Sequence, residues 1–165
     1  MSDLYQNFNT TSSRPSTHHG DGATENFISH NFQTISFSQP PIVLLVEDHQ
    51  IIRKNLCENL SDMGCKVEIA CDGIQAINMF KNNYDLVLLD IGLPEMDGFE
   101  VAKNMREYEK SHGNPHCVII AQTAFGHFVQ QECLDAGCDA FCIKPLMHND
   151  LVNLFKTWLP KYVRL

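Results

Sequence analysis

From Ile42 onward, short apolar runs alternate with helical stripes five times, and one run, Leu86-Val87-Leu88-Leu89-Asp90, carries no polar residue until its last position. Four apolar residues in succession suit a strand covered on both faces, the environment of a parallel sheet with helices on either side. Val43-Leu44-Leu45-Val46, Val67-Glu68-Ile69-Ala70, Val118-Ile119-Ile120-Ala121 and Ala140-Phe141-Cys142-Ile143 read as the other strands. Between them, Ile51, Ile52, Leu56, Leu60 and Met63 make a helical stripe that stops at Gly64. Ile74, Ile77 and Phe80 make a second, and Val101, Ala102 and Met105 a third. The stretch Phe125 to Ala136 predicts a fourth helix closed by Gly137, and Leu151, Leu154, Phe155 and Trp158 a fifth ended by Pro160. Repeated βα units imply an α/β fold with a parallel sheet and right-handed crossovers.

In open sheets of this kind, ligands bind beyond the carboxyl ends of the strands. The residues placed there are chemically pointed. The first strand runs into Glu47-Asp48, the third into Asp90, the fourth into Gln122-Thr123 and the fifth into Lys144-Pro145. Three carboxylates at one sheet edge repel unless a cation lies between them, and a hard ion such as Mg²⁺ suits a few carboxylates plus phosphate oxygens. An ammonium and a hydroxyl beside them fit a phosphoryl group.

Those residues carry a family resemblance. Glu47-Asp48, Asp90, Leu93-Pro94-Glu95-Met96-Asp97-Gly98, Thr123-Ala124 and Lys144-Pro145, in that order, resemble the receiver domain of two-component response regulators. The resemblance runs from about Pro41 to Pro160. It implies a flavodoxin-like doubly wound (βα)5 sandwich of strand order 2-1-3-4-5, which periodicity alone does not determine. It also implies that Asp90 is the phosphoacceptor, taking a phosphoryl group from a histidine kinase or a histidine phosphotransfer domain. Asp48, Asp90 and the Gly92 carbonyl would hold Mg²⁺, with Glu47 acting at longer range. Lys144, Thr123 and the backbone amides of Gly92 and Ala124 would receive the phosphoryl oxygens, and the Lys144-Pro145 bond would be cis. Thr123 and Phe141 would form the conformational switch. Phe141 replaces the family's frequent tyrosine with a ring that has no hydroxyl, and Gln122 puts an amide where many relatives are apolar.

Two rival classes fit these residues less well. A pseudo-receiver that only binds partners would lack Asp90 or Lys144, and both are present. A Mg²⁺-dependent aspartyl phosphohydrolase of the haloacid dehalogenase type needs a second Asp two residues after the nucleophile, where this chain has Gly92. The expectation is a switch or relay protein and not an enzyme, although it would catalyse its own phosphorylation and dephosphorylation.

Composition narrows the partners. With 165 residues and a formal net charge of −8, the chain is sized for one domain and has the wrong sign for backbone-driven nucleic-acid binding. No apolar stretch approaches the roughly 20 residues of a bilayer span, and no signal peptide opens the sequence. Seven cysteines without a CxxC pair read as reduced, mostly buried thiols of a cytoplasmic protein. Residues 1–40, rich in Ser, Thr, Asn, His and Gln, are expected to be a disordered extension, and residues 41–165 the receiver. Within that extension Phe27, Ile28, Phe32, Ile35 and Phe37 form an apolar patch that could dock on the domain or a partner. His18, His19 and His30 read as solvated. Only a few residues follow the last helix, so the expected receiver is stand-alone, with a protein target or onward phosphoryl transfer as its output.

Overall fold

A computed structural model describes residues 33–164 of the chain. Five strands, β1 (Ile42–Val46), β2 (Lys66–Ala70), β3 (Leu86–Asp90), β4 (Val118–Thr123) and β5 (Ala140–Ile143), form one sheet in the order β2-β1-β3-β4-β5. Every pairing is parallel. The expected doubly wound order is therefore the observed one. Five helices alternate with the strands: α1 (Gln50–Asp62), α2 (Gly73–Met79), α3 (Gly98–His112), α4 (Gln130–Asp135) and α5 (His148–Trp158). None of the described helices is long and apolar enough to cross a membrane.

The period-2 alternation of β3 assigns its side chains to two cores. Leu86 and Leu88 pack with Leu56 and Leu60 of α1 and Leu151 and Phe155 of α5. Val87 and Leu89 pack with Ala76 of α2, Val101 and Met105 of α3 and Cys133 of α4. All five residues of β3 are buried, which explains why the run is uninterrupted. Burying each large apolar side chain contributes roughly 1.5–3 kcal/mol, so the central strand anchors both layers.

The turn after β3 depends on a glycine. A Cβ on Gly98 would lie 2.4 Å from the Asp90 carbonyl oxygen and 2.7 Å from the Ile91 Cα, so only glycine lets α3 start against the end of β3. Asp97 caps that helix, its Oδ1 accepting from the Glu100 amide at 2.8 Å. Asp72 caps α2 in the same way through the Gln75 amide at 2.7 Å.

Two elements differ from expectation. The helix expected over Phe125 to Ala136 is a 3₁₀ turn over Gly126–Val129 followed by a six-residue α4. Gly126 takes a positive φ of 63°, which a helix cannot continue, and Phe125 and Phe128 face solvent instead of forming a stripe. In α2, Ile74 is exposed, and Ala76 with the following Phe80 supplies the inner face. The chain also joins the domain before residue 41. Ile35 and Phe37 pack against the α1/α5 core, and the Phe37 ring meets Phe155 edge-on with centroids 5.0 Å apart. Phe37 forms an antiparallel bridge with Val163, and the Ser38 amide donates to the Tyr162 carbonyl at 2.7 Å. Apolar burial against α5 thus orders residues expected in the extension; the readings of Phe27, Ile28, Phe32 and the histidines lie outside the described residues.

Candidate functional site

β1, β3, β4 and β5 all end at the same sheet edge, and each delivers one of the expected groups there. Glu47, Asp48 and Asp90 bring carboxylate oxygens within 4.8 Å of one another. Glu47 is fully buried and Asp90 nearly so, whereas Asp48 is exposed. Lys144 reaches between them. Its Nζ lies 2.7 Å from Glu47 Oε2 and 2.7 Å from Asp90 Oδ2. The second oxygen of Asp90, Oδ1, accepts from the Gly92 amide at 2.9 Å. Glu47 Oε1 accepts from the His49 amide at 3.1 Å.

The strand ends are locked together by their backbones. The Ile91 amide donates to the Gln122 carbonyl at 3.0 Å, and the Lys144 amide to the Thr123 carbonyl at 2.8 Å. Thr123 is buried, and its Oγ1 accepts from the Phe125 amide at 2.9 Å, leaving its own hydroxyl proton to donate. The Lys144-Pro145 peptide is cis. Phe141 is 2% exposed, its ring already inside the α2/α3/α4 core. Gly92 and Ala124 are both exposed. A Cβ on Gly92 would meet Asp90 Oδ1 at 3.6 Å, so the position is open without being strained.

The electrostatics of this edge suit a cation. Burial pushes the Glu47 carboxyl up; the Lys144 hydrogen bond offsets part of that, and the Asp90 charge adds to it. Burial works against the Lys144 ammonium, but its hydrogen bonds to Asp90 and Glu47 outweigh this and raise its pKa. One ammonium faces three acids, so the ionised cluster holds surplus negative charge. Hard oxygen donors, one of them exposed, fit a hard divalent ion. Two contacts here escaped sequence reading. Arg53 Nη1 donates to both the Glu47 and Asp48 carbonyls at 2.9 Å, tying α1 to the acidic pair. The other is the Lys144–Glu47 bond, whose partners lie 97 residues apart.

A doubly wound flavodoxin-like sheet with an acidic triad and a lysine at its carboxyl edge defines the class. The response regulator receiver domain model matches residues 43–156 of this chain. The chain therefore belongs to the response regulator receiver family. Over 121 residues it is 36% identical to the hybrid signal transduction histidine kinase L of Dictyostelium discoideum, covering 70% of this chain and 7% of that protein. Similar matches to the hybrid kinases B and M of the same organism cover 6% and 5% of those proteins, so the chain spans a small part of these relatives. Among solved structures, it resembles the receiver domain of the Saccharomyces cerevisiae response regulator Ssk1, solved with the histidine phosphotransfer protein Ypd1. The TM-score is 0.69 at 28% identity, over 73% of this chain and 89% of that one. The receiver domain of the Arabidopsis thaliana histidine kinase CKI1, complexed with Mg²⁺ and BeF₃⁻, gives a TM-score of 0.66 at 31% identity, over 73% and 91%.

Proposed function

We propose that Asp90 accepts a phosphoryl group from a phosphohistidine of a histidine kinase or histidine phosphotransfer domain. The observation that carries this reading is the placement of Lys144 Nζ, 2.7 Å from both Asp90 and Glu47 with Asp48 alongside. An Asp90 carboxylate oxygen attacks phosphorus in line, the P–N bond of the donor breaks, and the imidazole leaves. Lys144 moves its ammonium from the Asp90 carboxylate to a phosphoryl oxygen. The Thr123 hydroxyl donates to a second oxygen, and the amides of Gly92 and Ala124 serve the remainder. Asp48, Asp90 and the Gly92 carbonyl would hold Mg²⁺, with Glu47 at longer range; the bound ion supplies charge neutralisation for the transferred oxygens.

The Mg²⁺-bound CKI1 receiver and the Ssk1 receiver solved with Ypd1 support the ion and the donor class. The donor docks beside the start of α1, where Ile51 stands 66% exposed. Gly92, two residues beyond Asp90, offers no general acid, which disfavours turnover of external phosphate esters. The output is a change in a protein-interaction face, or onward transfer of the phosphoryl group, in the cytoplasm. Thr123 and Phe141 couple the site to that face: drawing Thr123 toward the phosphoryl group changes the space next to the Phe141 ring.

Incubation with acetyl phosphate and Mg²⁺ tests the assignment. One labile, hydroxylamine-sensitive adduct is expected on the wild-type chain and none on Asp90→Asn. Persistent labelling of that variant would overturn the role of Asp90.

A further inference from the structure

Of the three acids, Asp48 is the one whose side chain nothing described above holds. Glu47 is tied by Lys144 and by its own amide, which donates to the Ala70 carbonyl at 3.1 Å. Asp90 is tied by Lys144 and by the Gly92 amide. Asp48 stands in an exposed run with His49 and Gln50. His49, the N-cap of α1, makes no side-chain capping bond that would stiffen this run. The direction of the Asp48 carboxylate is therefore set by its backbone.

That backbone is held by Arg53. Its Nη1 donates to the Glu47 and Asp48 carbonyls, each at 2.9 Å. Its amide makes the first helical bond of α1, to the His49 carbonyl at 3.0 Å. One residue thus engages three successive carbonyls, and its half-buried side chain reaches back past the start of its own helix. The planar guanidinium aims both Nη1 protons in fixed directions, which an ammonium on a flexible stem does not. The same guanidinium is a positive charge beside the acids, and charge alone opposes a bound cation. Its two effects on a metal ion have opposite signs, so they can be separated.

We propose that Arg53 is a positioning residue for the Mg²⁺ site: by holding the Glu47 and Asp48 carbonyls it points the Asp48 carboxylate at the ion, and it raises metal affinity despite its own charge. This rests on the reading of Asp48 as a metal ligand. Without Arg53 the β1–α1 loop gains freedom that ion binding must remove again, and affinity falls.

The test titrates Mg²⁺ into the full ¹⁵N-labelled chain without phosphodonor, following the backbone amide signals of Asp48 and Gly92. Arg53→Met removes both the bonds and the charge, and it should weaken Mg²⁺ binding about tenfold. Arg53→Lys keeps the charge but not the forked pair, and its affinity should lie between the two. Equal or tighter binding by Arg53→Met would overturn the proposal. The residue is then a charge, or a fastening of α1 alone if the urea midpoint without Mg²⁺ falls while the affinity stays. If Arg53→Met does not fold, Arg53→Lys decides, because an affinity equal to or above wild type overturns the proposal as well. Absence of a saturable response in the wild-type chain is a different failure, which removes the metal site itself and Arg53's role with it.

Discussion

Lys144 is the residue on which the acidic edge balances. Its side chain is 17% exposed, and its ammonium is the counter-charge to a fully buried Glu47 and a nearly buried Asp90. Lys144→Met leaves those carboxylates without it, and losing one partner of a buried pair costs about 3–5 kcal/mol. The pH dependence has a definite sign. Glu47 has a raised pKa in the folded state, so the folded chain binds more protons than the unfolded one above the ordinary value of 4.5. Stability therefore falls as pH rises through that window. In Lys144→Met the Glu47 pKa climbs further, and the deficit relative to wild type should shrink as pH drops from neutral toward 4.5. Urea titrations of both proteins across that range measure it; a deficit that stays constant with pH would contradict the Glu47–Lys144 coupling.

Phe141 illustrates what a single ring contributes. It is buried in the α2/α3/α4 core, so Phe141→Ala should cost about 3–5 kcal/mol in urea unfolding. The variant should still take the acetyl-phosphate label at Asp90 but lose the phosphorylation-dependent change in amide exchange across residues 125–148. If a beryllofluoride response equal to wild type survives, the ring is core alone.

Among elements, α3 is fastened by one side chain that bonds to four other residues. Arg106 Nε donates to the Gly137 carbonyl at 2.8 Å, and Nη1 to Glu109 and to the Cys117 carbonyl, each at 2.8 Å. Its Nη2 meets Asp139 Oδ2 at 2.7 Å. Asp139 also accepts from the Ile119 amide at 2.8 Å, so the network ties α3 to the starts of β4 and β5. Removing the guanidinium takes the counter-charge from two mostly buried acids, Glu109 and Asp139. Arg106→Met should destabilise by about 3 kcal/mol, seen as a lower urea midpoint with an unchanged slope. A loss below about 0.5 kcal/mol would reduce the network to surface pairing.

At the scale of the whole molecule, metal binding should couple to folding. Glu47, Asp48 and Asp90 crowd three carboxylates within 4.8 Å, and a divalent ion bound there would relieve their repulsion. At Mg²⁺ concentrations about 100 times the dissociation constant, linkage gives roughly 2.7 kcal/mol of added stability. Asp48→Ala should remove most of that response and raise the metal-free melting temperature by easing repulsion. An unaltered Mg²⁺ response in thermal melts would exclude Asp48 as a ligand.

Much of this architecture was legible along the chain because local periodicity records which face of an element is buried. The uninterrupted Leu86 to Leu89 run reads as a central strand, and the charged or polar residues at the ends of four strands read as a carboxyl-edge site. Strand order is not local information, and here it came from family resemblance. The same limit applies to α4. Apolar residues at Phe125 and Phe128 imitate a stripe, but Gly126 in a left-handed conformation and exposure of both rings leave only six helical residues.

What the sequence by itself determined is the inventory: five strands, their helices, and three carboxylates, a hydroxyl and an ammonium at the strand ends. Only the tertiary structure decided the pairings. It set Lys144 against Glu47 as well as Asp90, drew Ile35 and Phe37 onto the α1/α5 core, and buried the Gln122 amide without a hydrogen-bond partner among the described residues. The physical reason is common to all three. Apolar patterning acts through neighbours three or four residues away, whereas an ion pair across 97 residues depends on how separate layers meet.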